Sequence, residues 1–441
     1  MISGNAATST SGAALPNAPS FEELRDTLER LTAHDGAGLT QADMIDHLTV
    51  MEQLKAGLAA AQARVTARLA ATRDAAEAAP GLPAEQRCRG LGHEIALARR
   101  ESPARGHQHL GLAHALVHEL PHTLAALTRG DITEWRATLV ARETAILSRT
   151  HRIQVDAELA GRLVTAGDKA VAAMARKTGY RLDPGSATRR VRGAHSDRRV
   201  GIRPAPDTMA YLTGFLPVAQ GVACHAALQQ EADTLRAAGD TRTRGQIMAD
   251  TLVARVTGQA TATGTPVEIN LVMTDKTLLG GDHEPAHLHG YGPVPAALAR
   301  DLVRDAAKSW VRRLYARPDS GTLVAMESRR RTFDGELRRF LVLRDQTCRS
   351  PWCDAPIRHA DHVLRVAEGG LTIADNGQGL CESCNYAKEA PGWRARRVPG
   401  AGHVVESVTP TGHRHRSRAP TPPEPPGYPI RLDVVFVGRA A

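Results

Sequence analysis

The stretch CRSPWCDAPIRHADHVLRVAEGG, residues 348–370, places two cysteines, two histidines and two aspartates within 23 residues. A second cysteine pair, Cys381 and Cys384, follows in LCESCNYAKEAPGW. The spacing is C-x4-C, then 27 residues, then C-x2-C. Four thiolates in two close pairs, Cys348 with Cys353 and Cys381 with Cys384, suit a tetrahedral structural zinc site. Each pair sits on a tight knuckle, and the metal joins the two chain ends. Zinc sites of this kind contribute roughly 10–16 kcal/mol of apparent binding energy, enough to hold a small piece with little core of its own.

The residues between the pairs exceed what a plain zinc ribbon needs. They include Asp361-His362, Gly369-Gly370 and Asn376, and Asn385 follows the last cysteine. The pattern predicts a strand carrying Asp361-His362, a turn at Gly369-Gly370, and a helix from near Glu382. Asn385 then lies in the first helical turn facing the strand, and Lys388 lies one turn beyond Cys384. The chemistry that fits is phosphodiester hydrolysis, which needs a deprotonated water and a cation to stabilise phosphoryl charge. His362 titrates near neutrality and suits a general base. Asp361 is a hard oxygen ligand for Mg²⁺ or Mn²⁺, and Asn385 offers a second, neutral oxygen. Asn376 fixes the loop and the His362 ring. Lys388 holds a flanking phosphate, and Arg358 and His359 are further phosphate candidates.

The pattern DHV…GG-T…N…LC-x2-CN-x2-K resembles the HNH endonuclease motif, over about residues 345 to 393. The resemblance implies a ββα-metal fold clasped by the cysteine quartet. It implies Asp361 and Asn385 as ligands of the catalytic divalent metal, His362 as general base, and Asn376 as the central Asn that orients the hairpin. Asp361 replaces the first His of the name-giving pair and Asn385 the last, which leaves the identity of the catalytic metal open. GHEIALARRESP, ELPHTLAALTRGDI and GYGPVP also resemble the actinobacterial domain of unknown function that precedes HNH modules.

The remaining chain, 441 residues in all, reads as a mainly α N-terminal domain with a small α+β middle portion, followed by the small zinc-clasped ββα-metal module. The expected boundaries are a disordered tail over 1–20, a helical domain over 21–180 and an α+β continuation over 181–328. The nuclease domain follows over 329–400, then a C-terminal hairpin and proline-rich tail over 401–441. Aromatics make up only 3%, so Leu, Val, Ile and Ala must build the core. Thr40 and Asp43 signal the cap of one long helix over about 41–73, with Met44, Leu48, Met51, Leu58, Val65 and Leu69 as its packing stripe. That helical domain offers a homodimer surface. Glu94, Arg99, Arg100 and Glu101 read as a salt-bridged helix face.

Cys88 and Cys224 stand alone and are expected to be buried small hydrophobes. MAYLTGFLP, PVEINLVMT and part of 310–326 predict strands, and 217–237 and 243–257 predict helices. The run holding His283, His287 and His289 predicts a surface loop. The chain carries a net charge of +9, and 50 of its 56 basic residues are Arg. Arg189, Arg190, Arg192, Arg198, Arg199 and Arg203 crowd into a candidate phosphate-contacting strip. The positive balance favours DNA as partner. No apolar run reaches the roughly 18 residues of a membrane span, and four clustered cysteines fit a reduced cytoplasm better than a disulfide framework. The function these features imply is a metal-dependent DNA endonuclease. The alternative is a DNA-binding protein with an inactive or regulated core and purely structural zinc.

Overall fold

The computed structural model describes residues 19–185, 188, 193, 195–258, 271–279, 282–288, 291–305, 332–400 and 402–421. Ser20 opens α1 (Phe21–Thr32) and Thr40 opens α2 (Gln41–Ala78). Each makes a reciprocal cap: the hydroxyl accepts from a backbone amide three residues on, and the Glu23 or Asp43 carboxylate accepts from the cap amide. α2 runs past the expected end at 73, because no proline interrupts it before Pro80. Six helices complete this body: α3 (Leu91–Arg99), α4 (Pro103–His118), α5 (Pro121–Arg129), α6 (Glu134–Glu143), α7 (Arg149–Leu159) and α8 (Asp168–Leu182).

The buried face of α2 is not the expected aliphatic stripe. Ala56, Ala60, Ala63 and Ala67 are buried, whereas Met44, Leu48, Leu58 and Val65 face outward, Val65 with 68% of its surface exposed. Alanine at that spacing lets α2 lie close on α4 and α5. A Cβ added at Gly130, just beyond α5, would stand 2.6 Å from Gln53 Cβ, so larger groups have no room. Leu116, Leu120, Leu127, Val140, Val155 and Leu163 fill the space behind. Buried Asp156 accepts the His122 and Thr123 amides at 2.6 and 3.0 Å, satisfying the free N–H groups that open α5.

Beyond α8 the structure turns to short pieces. β1 (Arg199–Pro204) and β2 (Ala210–Phe215) form an antiparallel hairpin, and α9 (Val218–Ala237) packs on α10 (Arg244–Thr257). A three-stranded sheet of β3 (Leu271–Val272), β4 (Ala286–Leu288) and β5 (Gly292–Val294) is flanked by α11 (Asp275–Leu279) and α12 (Ala296–Asp305). The expected loop around His283 and His287 therefore contains strands. Ala286 and Val294 point inward onto Ala299 and supply an apolar side that a solvated loop would lack. His289, the segment 310–326 and the terminal proline-rich run lie outside the described residues.

Two cysteine expectations fail. Cys224 is exposed on α9, and Cys88 is only half-buried, in a turn with φ of +55°. The C-terminal part comprises α13 (Gly335–Asp345), β6 (His359–His362), β7 (Gly377–Leu380) and α14 (Glu382–Lys388). β8 (Arg394–Val398), β9 (Val404–Val408) and β10 (Arg414–Arg418) then form one sheet in the order β10-β9-β8, with position 400 in the connection between β8 and β9. Among the described residues no helix is long and apolar enough to cross a membrane.

α3 joins the helical body to this part. Glu94 is buried, accepts from Arg73 Nη2 at 2.9 Å and from the Thr411 amide at 3.2 Å, and is hydrogen-bonded to the Thr411 hydroxyl. His93 Nε2 lies 3.1 Å from Ser383 Oγ, and Leu97 packs with Ala390 and Trp393. The expected salt-bridged face exists, but its central carboxylate serves a contact between distant segments. Arg99 pairs more loosely, at 3.9 Å, with Glu101 and Glu134.

Candidate metal-bound site

Cys348, Cys353, Cys381 and Cys384 are all buried, with their sulfurs within 4.8 Å of one another. Cys353 Sγ lies 3.8 Å from Cys381 Sγ and 3.7 Å from Cys384 Sγ. A tetrahedron with metal–sulfur bonds of about 2.3 Å has edges of about 3.8 Å, so the donor set matches such an ion. The first knuckle is closed by Cys348 N donating to Ala355 O at 2.9 Å, with Trp352 in the left-handed region at φ +59°. In the second, Cys381 caps α14 and its sulfur accepts the Cys384 amide at 3.4 Å. The four thiols share their protons unevenly: hydrogen bonds from neighbouring sulfurs push Cys381 and Cys348 down and Cys353 and Cys384 up.

Buried ionic groups fix the strands beside this cluster. Arg344 donates to the carbonyls of Ala374 and Gly377, both at 2.7 Å, and pairs with Asp345. Asp345 in turn accepts the Gly379 amide at 2.7 Å. α13 is thereby fastened to β7. Gly377 permits the approach, since a Cβ there would meet Leu341 and Phe333 at 2.7 to 2.8 Å.

β6 pairs antiparallel with β7, Asp361 opposite Gln378 and His362 opposite Gly377. The two-residue period of a strand sends neighbouring side chains to opposite faces. His362 is buried beside the Phe333 ring, 4.5 Å between centroids, and its Nε2 lies 2.9 Å from Thr372 Oγ1. Burial lowers the imidazole below its ordinary value, opposed by Asp361 and assisted by the Lys388 ammonium, so the ring is neutral near pH 7. On the other face Asp361 is half-buried and forms an ion pair with Lys388 through Oδ2. Lys388 Nζ also donates to the His362 carbonyl at 2.6 Å. Both oxygens are buried: Asp361 Oδ2 meets the Lys388 ammonium, whereas Asn385 Oδ1 accepts no hydrogen bond.

Asn376 ties the loop between the strands. Its Oδ1 accepts the Leu364 amide at 2.9 Å, and its Nδ2 donates to Leu364 O at 3.1 Å and Leu371 O at 2.9 Å. Gly370 leaves room for this: a Cβ would stand 2.8 Å from Asn376 Nδ2 and 1.9 Å from Leu364 O. Asn376 orients the loop but makes no hydrogen bond to the His362 ring, which Thr372 contacts instead. The Gly-Gly-x-Thr spacing was the available signal for Thr372, and the sequence reading assigned it no role.

Of the phosphate candidates, Lys388 is buried and turned inward. Arg358 is exposed, and half-buried His359 faces Tyr386 with ring centroids 6.2 Å apart. Arg199 and Arg203 lie over the rings of Phe215 and Tyr211, and Arg198 donates to the His195 carbonyl. Arg189, Arg190 and Arg192 lie outside the described residues.

A family model described as a domain of unknown function, DUF222, matches residues 45–345 and ends just before Cys348. No curated protein and no solved structure matches the chain.

Proposed function

The chain belongs to the DUF222 family, and from that premise we propose that it is a metal-dependent DNA endonuclease whose chemistry lies in the module beyond the matched region. The observation that carries this reading is a buried oxygen pair, Asn385 Oδ1 on α14, which accepts no hydrogen bond, and Asp361 Oδ2 on β6, which meets the Lys388 ammonium. Buried polar atoms rarely lack partners, and a carboxylate with an amide oxygen is a hard donor set suited to Mg²⁺ or Mn²⁺. The cysteine quartet would hold Zn²⁺ as a structural clasp, and the resemblance to HNH modules supports the division of labour.

A divalent ion on Asp361 and Asn385 would supply Lewis acidity toward a phosphate oxygen. His362, neutral at physiological pH, would take a proton from the attacking water as its oxygen bonds phosphorus and the bond to the leaving deoxyribose oxygen breaks, that oxygen then taking a proton from solvent. Thr372 holds that ring and Asn376 holds the loop around it.

A second reading has its own support. The Lys388 ammonium already neutralises Asp361, which fits a DNA-binding module whose core is silent or regulated. Plasmid relaxation separates the two. The parent protein should nick DNA with Mg²⁺ or Mn²⁺ and not with EDTA, and His362→Ala should lose at least ~10²-fold of that rate while keeping its zinc. Equal rates for parent and variant would remove His362 from the mechanism. DNA binding without cleavage by either would favour the silent module.

A further inference from the structure

The three-stranded sheet that follows α14 has two unlike faces. The strand register sets Arg394 across from Val408 and Arg414, Arg396 across from Glu406 and Arg416, and Val398 across from Val404 and Arg418. Residues opposite one another share a face, and alternate residues along a strand do too. Arg394, Arg396, Arg414, Arg416 and Arg418 therefore stand on one side, and all five are exposed. The only carboxylate among them is Glu406, 1% exposed. Arg396 meets it at 2.5 Å, Arg416 at 2.9 Å and Arg414 at 3.2 Å, while more than half of each arginine side chain stays open to solvent. The buried carboxylate gathers three guanidinium groups without neutralising the face, which keeps a formal excess of four positive charges.

The opposite face is fastened to the cysteine cluster. Arg349, next to Cys348, donates to the carbonyls of His403 at 3.0 Å and Ser417 at 2.8 Å, and Ser417 Oγ donates to Arg349 O at 2.6 Å. His403 Nε2 lies 3.0 Å from Asp375 O, in the loop that Asn376 organises. The arginine face is thus held rigidly to the module that carries Asp361 and His362.

We propose that this face of the β8–β9–β10 sheet binds the phosphate backbone of duplex DNA without reading its bases. Alternate residues on a strand recur about every 6.8 Å, which is two base-pair rises of about 3.4 Å each. Arginine presents a planar fork that matches a phosphate, and the hold of Glu406 reduces the freedom lost on binding. An acidic protein surface would match the sign of the charge but has no reason to match a regular spacing. The inference rests on the nuclease reading for its choice of DNA and supplies the backbone contacts that reading lacks.

Arg394 and Arg418 are the positions to test, because among the described residues no carboxylate pairs with either and their removal leaves Glu406 satisfied. The full-length Arg394→Gln/Arg418→Gln protein is compared with its parent by fluorescence anisotropy on a labelled duplex, from 50 to 200 mM salt, without added Mg²⁺ or Mn²⁺. The same charge change at remote sites, Arg105→Gln/Arg129→Gln, is the control, and zinc content is measured throughout. Loss of two phosphate contacts should flatten the log–log salt dependence by about 1.8, with binding weakened alike for unrelated duplex sequences. An unchanged slope and affinity in a zinc-loaded double variant overturns the proposal, as does an equal loss in the remote control. Binding of a structured RNA more than tenfold tighter than duplex, through the same two arginines, reassigns the face and also overturns it. Nicking is read separately. A parent that binds duplex through these arginines but never nicks rejects the nuclease alone, and unaltered salt dependence beside intact nicking rejects the face alone.

Discussion

The helical body and the C-terminal module solve the same problem by opposite means. Between α2 and α8 the chain buries a continuous apolar core, with alanines on α2 letting helices approach and leucines and valines filling the gaps. In the module the apolar clusters are small: one is mostly the four cysteines, another is Phe333, Leu337, Leu341 and Ala374. Buried ionic and polar groups do the joining instead, Arg344 and Asp345 at one end, Arg349 and His403 at the other. Such groups are directional and costly to orphan, whereas apolar contacts are tolerant and additive. The body should therefore degrade gradually under substitution and the module abruptly.

The sharpest break is Cys381→Ser. Removing one sulfur from a four-thiolate site sacrifices much of a binding energy of roughly 10–16 kcal/mol. Zinc should be lost and proteases should cut between about residues 332 and 421, while far-UV ellipticity from α2 to α8 survives. A variant that stays folded and zinc-loaded would mean that the cysteines are not the clasp.

Asp345→Ala tests the same contrast without touching a sulfur. The substitution leaves the buried Arg344 charge unpaired, and Arg344 Nε and the Gly379 amide without their acceptor, a change that costs about 3–5 kcal/mol. Urea unfolding of the module, followed by the fluorescence of Trp352 and Trp393 with Trp135 and Trp310 replaced by Phe, should shift strongly to lower denaturant. A shift under 1 kcal/mol would show that packing, and not this pair, joins α13 to β7.

In the body the informative substitution adds atoms. Ala60 has 0% of its surface exposed, so Ala60→Leu should overpack α2 against α4 and α5 and cost about 1–3 kcal/mol. Leu58→Ala, two positions away on the outward face, should change stability by no more than about 0.5 kcal/mol. Thermal unfolding at 222 nm reads both, and the reverse order would show that the aliphatic stripe is the packing face after all.

That reversal marks the limit of what the sequence made legible. Thr40 with Asp43, the two cysteine knuckles, the strand at Asp361-His362 and the helix from Glu382 were legible because each is set by neighbours a few residues away. The packing face of α2 was not, because periodicity weighs large aliphatics above alanines and the partner helices lie some sixty residues on. The opposed faces of Asp361 and His362 follow from the strand itself, yet the inward turn of Lys388 depends on a carbonyl 26 residues earlier. The arginine face was hidden for a similar reason. R-x-R alternation is visible in both β8 and β10, but only their shared pairing with β9 puts the arginines on one side.

The smallest effect concerns pH and again divides the two regions. His403 is buried, its Nε2 lies against the Asp375 carbonyl, and its Nδ1 has no hydrogen-bond partner. A donating Nε2–H leaves Nδ1 as the bare lone pair, and protonation would place a second N–H where nothing accepts it. Burial, with Arg344 and Arg349 nearby, lowers its pKa to about 2, against 6.5 for an ordinary histidine. Between those values the unfolded chain binds a proton that the folded chain refuses, so stability falls as pH falls below 6.5. The loss attributable to this ring should be about 1 kcal/mol between pH 6.5 and 5.5, nearing 1.4 kcal/mol for each further unit. Urea titrations across that range should show the slope in the signal of Trp352 and Trp393 in the same Trp135→Phe/Trp310→Phe background. His403→Gln, which keeps a donor for Asp375 O but cannot titrate, should flatten it. An equal slope in that variant would move the acid sensitivity to the cysteine cluster, where protonation of thiolates would release a bound metal over the same direction of pH.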